Sequence, residues 1–228
     1  MRYDWLLFDA DGTLFDYDKA EAAALQQTFL ALGAPFQPDY LGDYRRVNSQ
    51  MWRAFERGEI DQARLKLRRF ELLSEAIDLP LDPAQFSAVY LSQLGQNAQL
   101  IDGTEAMLRA LNGKVNMMLI TNGLQAVQRS RYALSPLEPY FVDIVISEEV
   151  GVAKPDPDIF DIVFEKMGNP AKDRALMIGD SLSSDMAGGA NYGIDTCWFN
   201  PEGRKQDGQV EITHEIQRLS ELPPIVRA

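Results

Sequence analysis

Five short runs of consecutive apolar residues alternate with longer segments of helical periodicity over much of the chain. The apolar runs cover residues 3–8, 115–120, 142–146, 175–178 and 196–199. The segments between the later runs have helical spacing over residues 104–111, 124–134, 158–167 and 183–192. Buried strands that alternate with helices are typical of a parallel sheet covered on both faces. The pattern therefore predicts an α/β fold with a doubly wound parallel sheet.

Residues 16–97 interrupt this alternation, because their hydrophobic spacing is helical throughout. Helical periodicity covers residues 20–32, 40–55, 62–77 and 83–94. Glycine and proline separate these segments and are common helix terminators. We therefore expect an all-helical cap domain of residues 16–97, inserted into a core domain of residues 1–15 and 98–228. The hinges between the two domains are expected near Phe15 and Leu100.

The composition narrows the kinds of partner that the protein can have. The 228 residues include 22 Lys and Arg against 34 Asp and Glu, a formal net charge of −12. So acidic a protein is poorly suited to a nucleic-acid polymer or to an anionic membrane surface, and we expect neither. The first apolar run ends at Asp9, too soon for a signal peptide or a membrane span. We expect a cytoplasmic protein that is a monomer or a weak dimer.

The single cysteine and the single histidine exclude several kinds of site. Cys197 alone can form neither an internal disulfide nor a cysteine-built metal site. His214 lies in a polar segment with no serine or cysteine motif nearby, so we expect a surface residue and no histidine-based triad. Any chemistry must therefore come from carboxylates, hydroxyls, amides and lysine.

Groups of this kind follow four of the predicted strands. They are Asp9, Asp11 and Gly12 after the first strand, Thr121 and Asn122 after the second, Lys154 after the third, and Asp180 and Asp185 after the fourth. A tight turn would explain any one of these segments alone, since Asp, Asn and Gly are common in turns. Parallel sheets, however, bind ligands beyond the carboxyl ends of their strands, where all four segments would meet. Together the segments predict a ligand site at that edge.

The same segments resemble the four motifs of the haloacid dehalogenase superfamily, in the same order. The matching residues are Asp9-Ala10-Asp11-Gly12-Thr13, Thr121-Asn122, Lys154-Pro155 and Gly179-Asp180 through Asp185. The resemblance covers essentially the whole chain, including a helical cap inserted after the first motif. It implies a haloacid dehalogenase-like, Rossmann-type core with that cap.

The resemblance also implies a phosphatase mechanism. Asp9 would be the nucleophile that forms an aspartyl-phosphate, and Asp11 would be the general acid and base. Mg²⁺ would be bound by Asp9, the backbone carbonyl of Asp11 and Asp180, and Mn²⁺ is expected to substitute for it. We further expect neighbouring acids to crowd the carboxylate of Asp11.

Four other residues of the motifs would support the phosphoryl group. The resemblance assigns Gly12, Thr121, the backbone of Asn122 and Lys154 to phosphate binding. Asp185 would hold Lys154 in place or support a metal-bound water, outside the direct ligands.

The acid at position 11 separates the branches of the superfamily. Dehalogenases lack it, because a halide leaves without a proton, so Asp11 favours phosphatase over dehalogenase chemistry. The superfamily's transport ATPases carry a lysine and a threonine in this motif together with large membrane segments. This sequence has neither that pair of residues nor such segments. A phosphomutase acting on a small sugar phosphate stays an alternative, as does a phosphatase for such a substrate. A non-enzymatic phospho-aspartate receiver is a remote one, because receivers are shorter and lack a cap.

A closer resemblance indicates the substrate. Residues 8–21, 179–185, 188–191 and 193–201 are similar to the bacterial house-cleaning pyrimidine 5′-nucleotidases. That group implies dephosphorylation of UMP, dUMP, dTMP and modified analogues.

Several aromatic and polar residues are candidates for contact with the substrate. Phe15 and Tyr17 follow the first motif closely enough to face it. Four residues of one cap helix are candidates for contact with the base, namely Tyr44, Arg45, Asn48 and Trp52. The alternative is that Phe15 and Trp52 pack inside the cap and that Arg45 is solvated.

Overall fold

A six-stranded parallel sheet forms the centre of the molecule. The computed structural model describes residues 1–206, 208 and 210–227. The strands are β1 (Trp5–Phe8), β2 (Asn116–Thr121), β3 (Asp143–Ile146), β4 (Ala175–Gly179), β5 (Asp195–Phe199) and β6 (His214–Ile216). They are ordered β3-β2-β1-β4-β5-β6, and every neighbouring pair is parallel. The predicted α/β class and parallel sheet are confirmed.

Helices cover both faces of this sheet. The α-helices of the described residues are α1 (Tyr17–Ala31), α2 (Asp39–Glu56), α3 (Gln62–Ala76), α4 (Pro83–Gly95), α5 (Thr104–Leu111), α6 (Gln125–Leu134), α7 (Ser147–Val150), α8 (Pro157–Lys166), α9 (Ala187–Tyr192) and α10 (Leu222–Arg227). Side chains alternate across a strand, so Leu6 and Phe8 of β1 pack towards α5 and α10, whereas Leu7 packs towards α8 and α9. Within the described ranges, no helix combines the length and the apolar character needed to cross a membrane.

Helices α1 to α4 lie between β1 and α5 and share an apolar core of their own. Their buried aromatic side chains include Phe29, Phe70, Phe86 and Tyr90, and Leu124 and Val127 from the α6 segment pack against this cluster. The two chain crossings lie side by side, because the Asp16 N–H donates to the Gln99 carbonyl at 2.9 Å and the Ile101 N–H to the Leu14 carbonyl at 2.8 Å. These contacts support the predicted division at residues 16 and 97, which stays a prediction.

The C-terminal part of the fold contains elements that the hydrophobic pattern did not predict. Strand β6 has three residues, of which only Ile216 is buried, so no apolar run marks it. Its pairing with β5 forms it. The expectation of a surface histidine is corrected here, because His214 is half-buried and its Nε2 lies 2.9 Å from the Tyr3 hydroxyl.

Cys197 provides a test of the central sheet. Its thiol is fully buried in β5, and burial raises its pKa to about 12. Because only the thiolate reacts quickly, we expect a thiol reagent such as dithionitrobenzoate to label the native protein far more slowly than the urea-unfolded protein. Fast labelling of the native protein would contradict the position of β5 inside the sheet.

Candidate active site

A cavity of about 480 Å³ lies beyond the carboxyl ends of the central strands. It is lined by nine of the ten residues that the sequence predicted for the site, namely Asp9, Asp11, Gly12, Tyr17, Thr121, Asn122, Lys154, Asp180 and Asp185. The parallel register explains the convergence, since β1 pairs with β2 on one side and with β4 on the other. The loops after these three strands therefore face the same space.

Lys154 lies at the centre of the cavity floor and is almost completely buried. Its ammonium group donates to Asp9 Oδ1 at 2.6 Å, to Asp185 Oδ1 at 2.7 Å and to the Ile120 carbonyl at 2.7 Å. Burial alone would lower the pKa of Lys154, but the carboxylates of Asp185 and Asp9 outweigh it and raise the pKa above its usual value. All three N–H groups have acceptors, so Lys154 is a fixed positive charge beside Asp9.

The Asn122 side chain helps to fix the position of Lys154, in addition to the ion pairs of the Lys154 ammonium group. The Asn122 side chain pairs with the backbone of Lys154, because its amide donates to the Lys154 carbonyl at 2.7 Å and its Oδ1 accepts from the Lys154 N–H at 2.8 Å. Asp185 Oδ2 accepts from the Ser181 N–H at 3.0 Å, so both Asp185 oxygens are bonded. The sequence analysis missed this function of the Asn122 side chain.

Two glycines allow the motifs to approach closely. Gly12 has φ +81°, and a Cβ there would lie 2.8 Å from the Asp180 carboxylate. A Cβ on Gly179 would lie 2.2 Å from Asp185 Oδ2. Larger residues at these positions would push Asp180 and Asp185 out of the site.

Three carboxylates, those of Asp9, Asp180 and Asp185, lie close enough together to hold a metal ion, with ligand atoms within 4.8 Å of one another. Burial raises the pKa of Asp180 to about 7, and the neighbouring Asp185 carboxylate adds to this rise. Burial also raises the pKa of Asp9 well above its usual value, although Lys154 opposes the rise. Lys154 balances only one of the three negative charges, so the oxygen-rich cluster fits a divalent cation such as Mg²⁺.

The carboxylate of Asp11 has different neighbours from those expected. It turns towards α6, where Gln128 Nε2 donates to Oδ2 at 2.6 Å and an Arg131 N–H donates to Oδ1. The expected crowding of Asp11 by acids is therefore wrong. The reason is that α6 starts directly after the second motif and brings its own polar side chains over the loop after β1.

Phe15 is the one residue of these ten that lies outside the cavity lining. It is 1% exposed, packs in the main core and has the Arg131 guanidinium 4.4 Å from its ring centre. The predicted contact between Phe15 and substrate is corrected to a packing role, because the chain crosses into the helical insertion at this residue. Tyr17, two residues later, does line the cavity.

Helix α2 places Trp52 and Glu56 in the cavity lining, one helical turn apart. The other candidates on this helix do not reach it. Tyr44 is buried among aromatic rings, Arg45 pairs with Glu21 at 2.8 Å, and the buried Asn48 donates to the Tyr17 hydroxyl at 3.2 Å. Both alternatives for Trp52 hold in part, because it lines the cavity and also packs against the apolar cluster of Val47, Met51 and Leu65.

Sequence reasoning missed three cationic or amide side chains around the site: Gln128, Arg131 and Arg204. The sequence did contain a signal for the first two. Gln128 and Arg131 lie on the same helix face as the apolar Leu124 and Val127, so they interrupt an apolar face. Arg204 lines the cavity and donates to the Asp180 carbonyl at 2.9 Å. It follows β5 in a polar segment that carries no comparable signal.

The Lys154 cluster predicts a large stability effect. Lys154→Met leaves two buried carboxylates without their cation, so we expect the free energy of unfolding to fall by about 3 kcal/mol or more. Urea denaturation in the presence of chelator measures this. Lys166→Met is the matched control, because Lys166 pairs with Asp143 at the exposed surface and should cost no more than about 1 kcal/mol. Equal losses in the two variants would contradict the assignment of Lys154 as the central buried charge.

Comparison with known proteins supports the resemblance to the haloacid dehalogenase superfamily. A family model for haloacid dehalogenase-like hydrolases matches residues 3–193. The pyrimidine 5′-nucleotidase YjjG of Escherichia coli is 36% identical over 226 residues, which cover 99% of both chains. The pyrimidine 5′-nucleotidase PynA of Streptococcus pneumoniae is 34% identical over 223 residues, or 97% of this chain and 94% of that one.

A solved structure is also similar over the whole length. It is the crystal structure of the HAD-hydrolase YfnB from Bacillus subtilis bound to magnesium, which describes interdomain movement in that protein. Its TM-score is 0.95 at 36% identity, with 100% of each chain covered. The resemblance of the four motifs is thereby confirmed, and the chain belongs to the haloacid dehalogenase-like hydrolase family.

Proposed function

We propose that this enzyme is a Mg²⁺-dependent phosphomonoester hydrolase that acts through an aspartyl-phosphate on Asp9, with pyrimidine nucleoside 5′-monophosphates as substrates. The observation that carries the proposal is the contact between Lys154 and Asp9 inside a carboxylate cluster that opens onto the cavity. This arrangement suits a nucleophile that must approach an anionic phosphoryl group.

In the first step, the Asp9 carboxylate attacks phosphorus and the bond to the ester oxygen breaks. Lys154 offsets part of the repulsion between the two anions, since its ammonium lies 2.6 Å from Asp9 Oδ1. Thr121 and the backbone of Asn122, at the end of β2, bind the remaining phosphoryl oxygens. The Gly12 backbone contributes to the same cradle, where a side chain would collide with Asp180.

Asp11 moves the proton in both steps. It protonates the departing ester oxygen, because an alkoxide is a poor leaving group. It then removes a proton from the water that attacks the phosphorus of the aspartyl-phosphate. That attack releases inorganic phosphate and returns Asp9 to its carboxylate form.

Asp9, Asp180 and the backbone carbonyl of Asp11 are the residues that would hold the metal ion. When bound, Mg²⁺ supplies positive charge that stabilises the phosphoryl oxygens during transfer. Asp185 supports this group indirectly, since both of its oxygens already accept hydrogen bonds from Lys154 and Ser181. Mn²⁺ is expected to replace Mg²⁺, because similar oxygen sites accept both.

The cavity walls favour a nucleoside monophosphate. Tyr17 and Trp52 offer aromatic surface for a planar base. Acidic side chains also line the space, namely Asp16, Asp18, Glu56 and Glu202. They disfavour a second phosphate by like-charge repulsion, so monophosphates should be preferred to diphosphates.

The similarity to two pyrimidine 5′-nucleotidases supports UMP, dUMP, dTMP and modified analogues as the substrates. We place the enzyme in the cytoplasm, as a monomer or a weak dimer.

The direct test is phosphate release from a panel of nucleoside monophosphates, nucleoside diphosphates and sugar phosphates, with Mg²⁺ and with chelator. We expect Mg²⁺-dependent release that is strongest with UMP, dUMP or dTMP, and no release by Asp9→Asn. Release from sugar phosphates alone would keep the Asp9 mechanism and reject the nucleotide substrate. Isomerisation of a sugar phosphate without release would indicate a mutase.

Trp52 provides a test of base recognition. If a base stacks on its ring, Trp52→Ala should raise KM for dTMP about tenfold, since stacking contributes on the order of 1–3 kcal/mol. Glycerol phosphate, which has no base, should be hydrolysed by this variant as by the wild type. Leu30→Ala, at an exposed position of α1, is the control and should change neither KM. A parallel loss on both substrates would reject the stacking role.

A further inference from the structure

Helix α6 holds the carboxylate of Asp11 at both oxygens. Gln128 Nε2 donates to Oδ2 at 2.6 Å, and an Arg131 N–H donates to Oδ1. Both donors are buried, with Gln128 1% and Arg131 0% exposed, whereas the Asp11 side chain is 26% exposed and lines the cavity. One partner on each oxygen fixes the rotation of the carboxylate plane as well as its position.

Arg131 is itself fixed from two sides. Its Nε donates to the Asn97 carbonyl at 2.9 Å, and its guanidinium stacks 4.4 Å from the Phe15 ring centre. A buried guanidinium is costly to keep without an anionic partner. Among the described residues, Asp11 is the acid with which Arg131 forms an ion pair. The cation is thus held rigidly against the one side chain that we assign to proton transfer.

Gln128 is positioned by a close approach to the second motif. Its side chain lies over Gly123, where a Cβ would be 2.2 Å from Gln128 Nε2. Gly123 directly follows Thr121 and Asn122. Gln128 therefore contacts both Asp11 and the turn that we assign to phosphate binding.

From these contacts we propose that Gln128 and Arg131 are positioning residues that orient Asp11 for proton transfer to the leaving oxygen. The inference rests on the proposed function, in which Asp11 is the general acid. Each carboxylate oxygen has two lone-pair sites, and α6 occupies one on each. The remaining sites stay available on the cavity side, where the proton passes between Asp11 and the ester oxygen.

The leaving group provides the test. The nucleoside alkoxide of dTMP needs a proton to depart, whereas the nitrophenolate of p-nitrophenyl phosphate is stable as an anion. The ratio kcat/KM reports the steps up to departure of the leaving group, so it isolates the acid step from later hydrolysis of the aspartyl-phosphate. Arg131→Met and Gln128→Met should each lower kcat/KM for dTMP at least about tenfold, a part of what a general acid contributes. Their loss on p-nitrophenyl phosphate should be much smaller.

Three further variants distinguish positioning from a general structural effect. Asp11→Asn should show the same selectivity between the two substrates, and the double variant with Arg131→Met should lose no more than Asp11→Asn alone. Gly123→Ala should reproduce the loss caused by Gln128→Met. Arg129→Met is the matched control on the same helix, because Arg129 pairs with Glu149 on the surface, and it should leave both substrates unaffected.

The outcomes separate this inference from the proposed function. If Asp11→Asn is selective but Arg131→Met and Gln128→Met lower both substrates equally, or add fully to Asp11→Asn, the positioning role is wrong and the general acid stands. If Asp11→Asn itself shows no selectivity, its assignment as the general acid fails, and the positioning role fails with it. A wild-type protein that hydrolyses neither ester would overturn the proposed function as a whole.

Discussion

The buried ammonium group of Lys154 is the interaction on which the rest of the site depends. A charge inside a protein is tolerated only if it is paired and hydrogen-bonded. Here Asp9, Asp185 and the Ile120 carbonyl accept all three of its N–H groups. These acceptors belong to β2 and to the loops after β1 and β4, so one side chain fixes the relative positions of three strand ends. The same contact places a cation beside Asp9, the carboxylate that we propose as the nucleophile.

The charge balance around Lys154 links stability to chemistry. One ammonium cannot neutralise three neighbouring carboxylates. Burial raises the pKa of Asp180 and that of Asp9, and the nearby Asp185 carboxylate adds to both rises. A divalent cation bound among them would remove this excess. The fold therefore holds a local surplus of negative charge where a metal ion and a phosphoryl group would meet, and the acidic net charge of the chain does not oppose a phosphate ester as substrate.

Helix α6 connects the inserted helices to the acid of the site. Val127 packs into the apolar core of the insertion, and Ser130 donates to the Gly95 carbonyl at 2.8 Å. On the same helix, Gln128 and Arg131 hold Asp11. One helix thus contacts the inserted helices and also holds the side chain that we propose for proton transfer, because residues three and four apart share a helix face.

The sequence by itself determined the parallel sheet and the groups at its edge, because an apolar strand and the polar residues that follow it within ten positions lie in one short segment of sequence. Asp9, Lys154 and Asp180 could be assigned in this way. Only the tertiary structure decided what each side chain contacts. It buried Phe15 beneath Arg131, formed β6 by pairing, and turned Asp11 towards α6. The contacts of Phe15 and Asp11 with Arg131 depend on packing between segments more than a hundred residues apart, and no local pattern encodes such contacts.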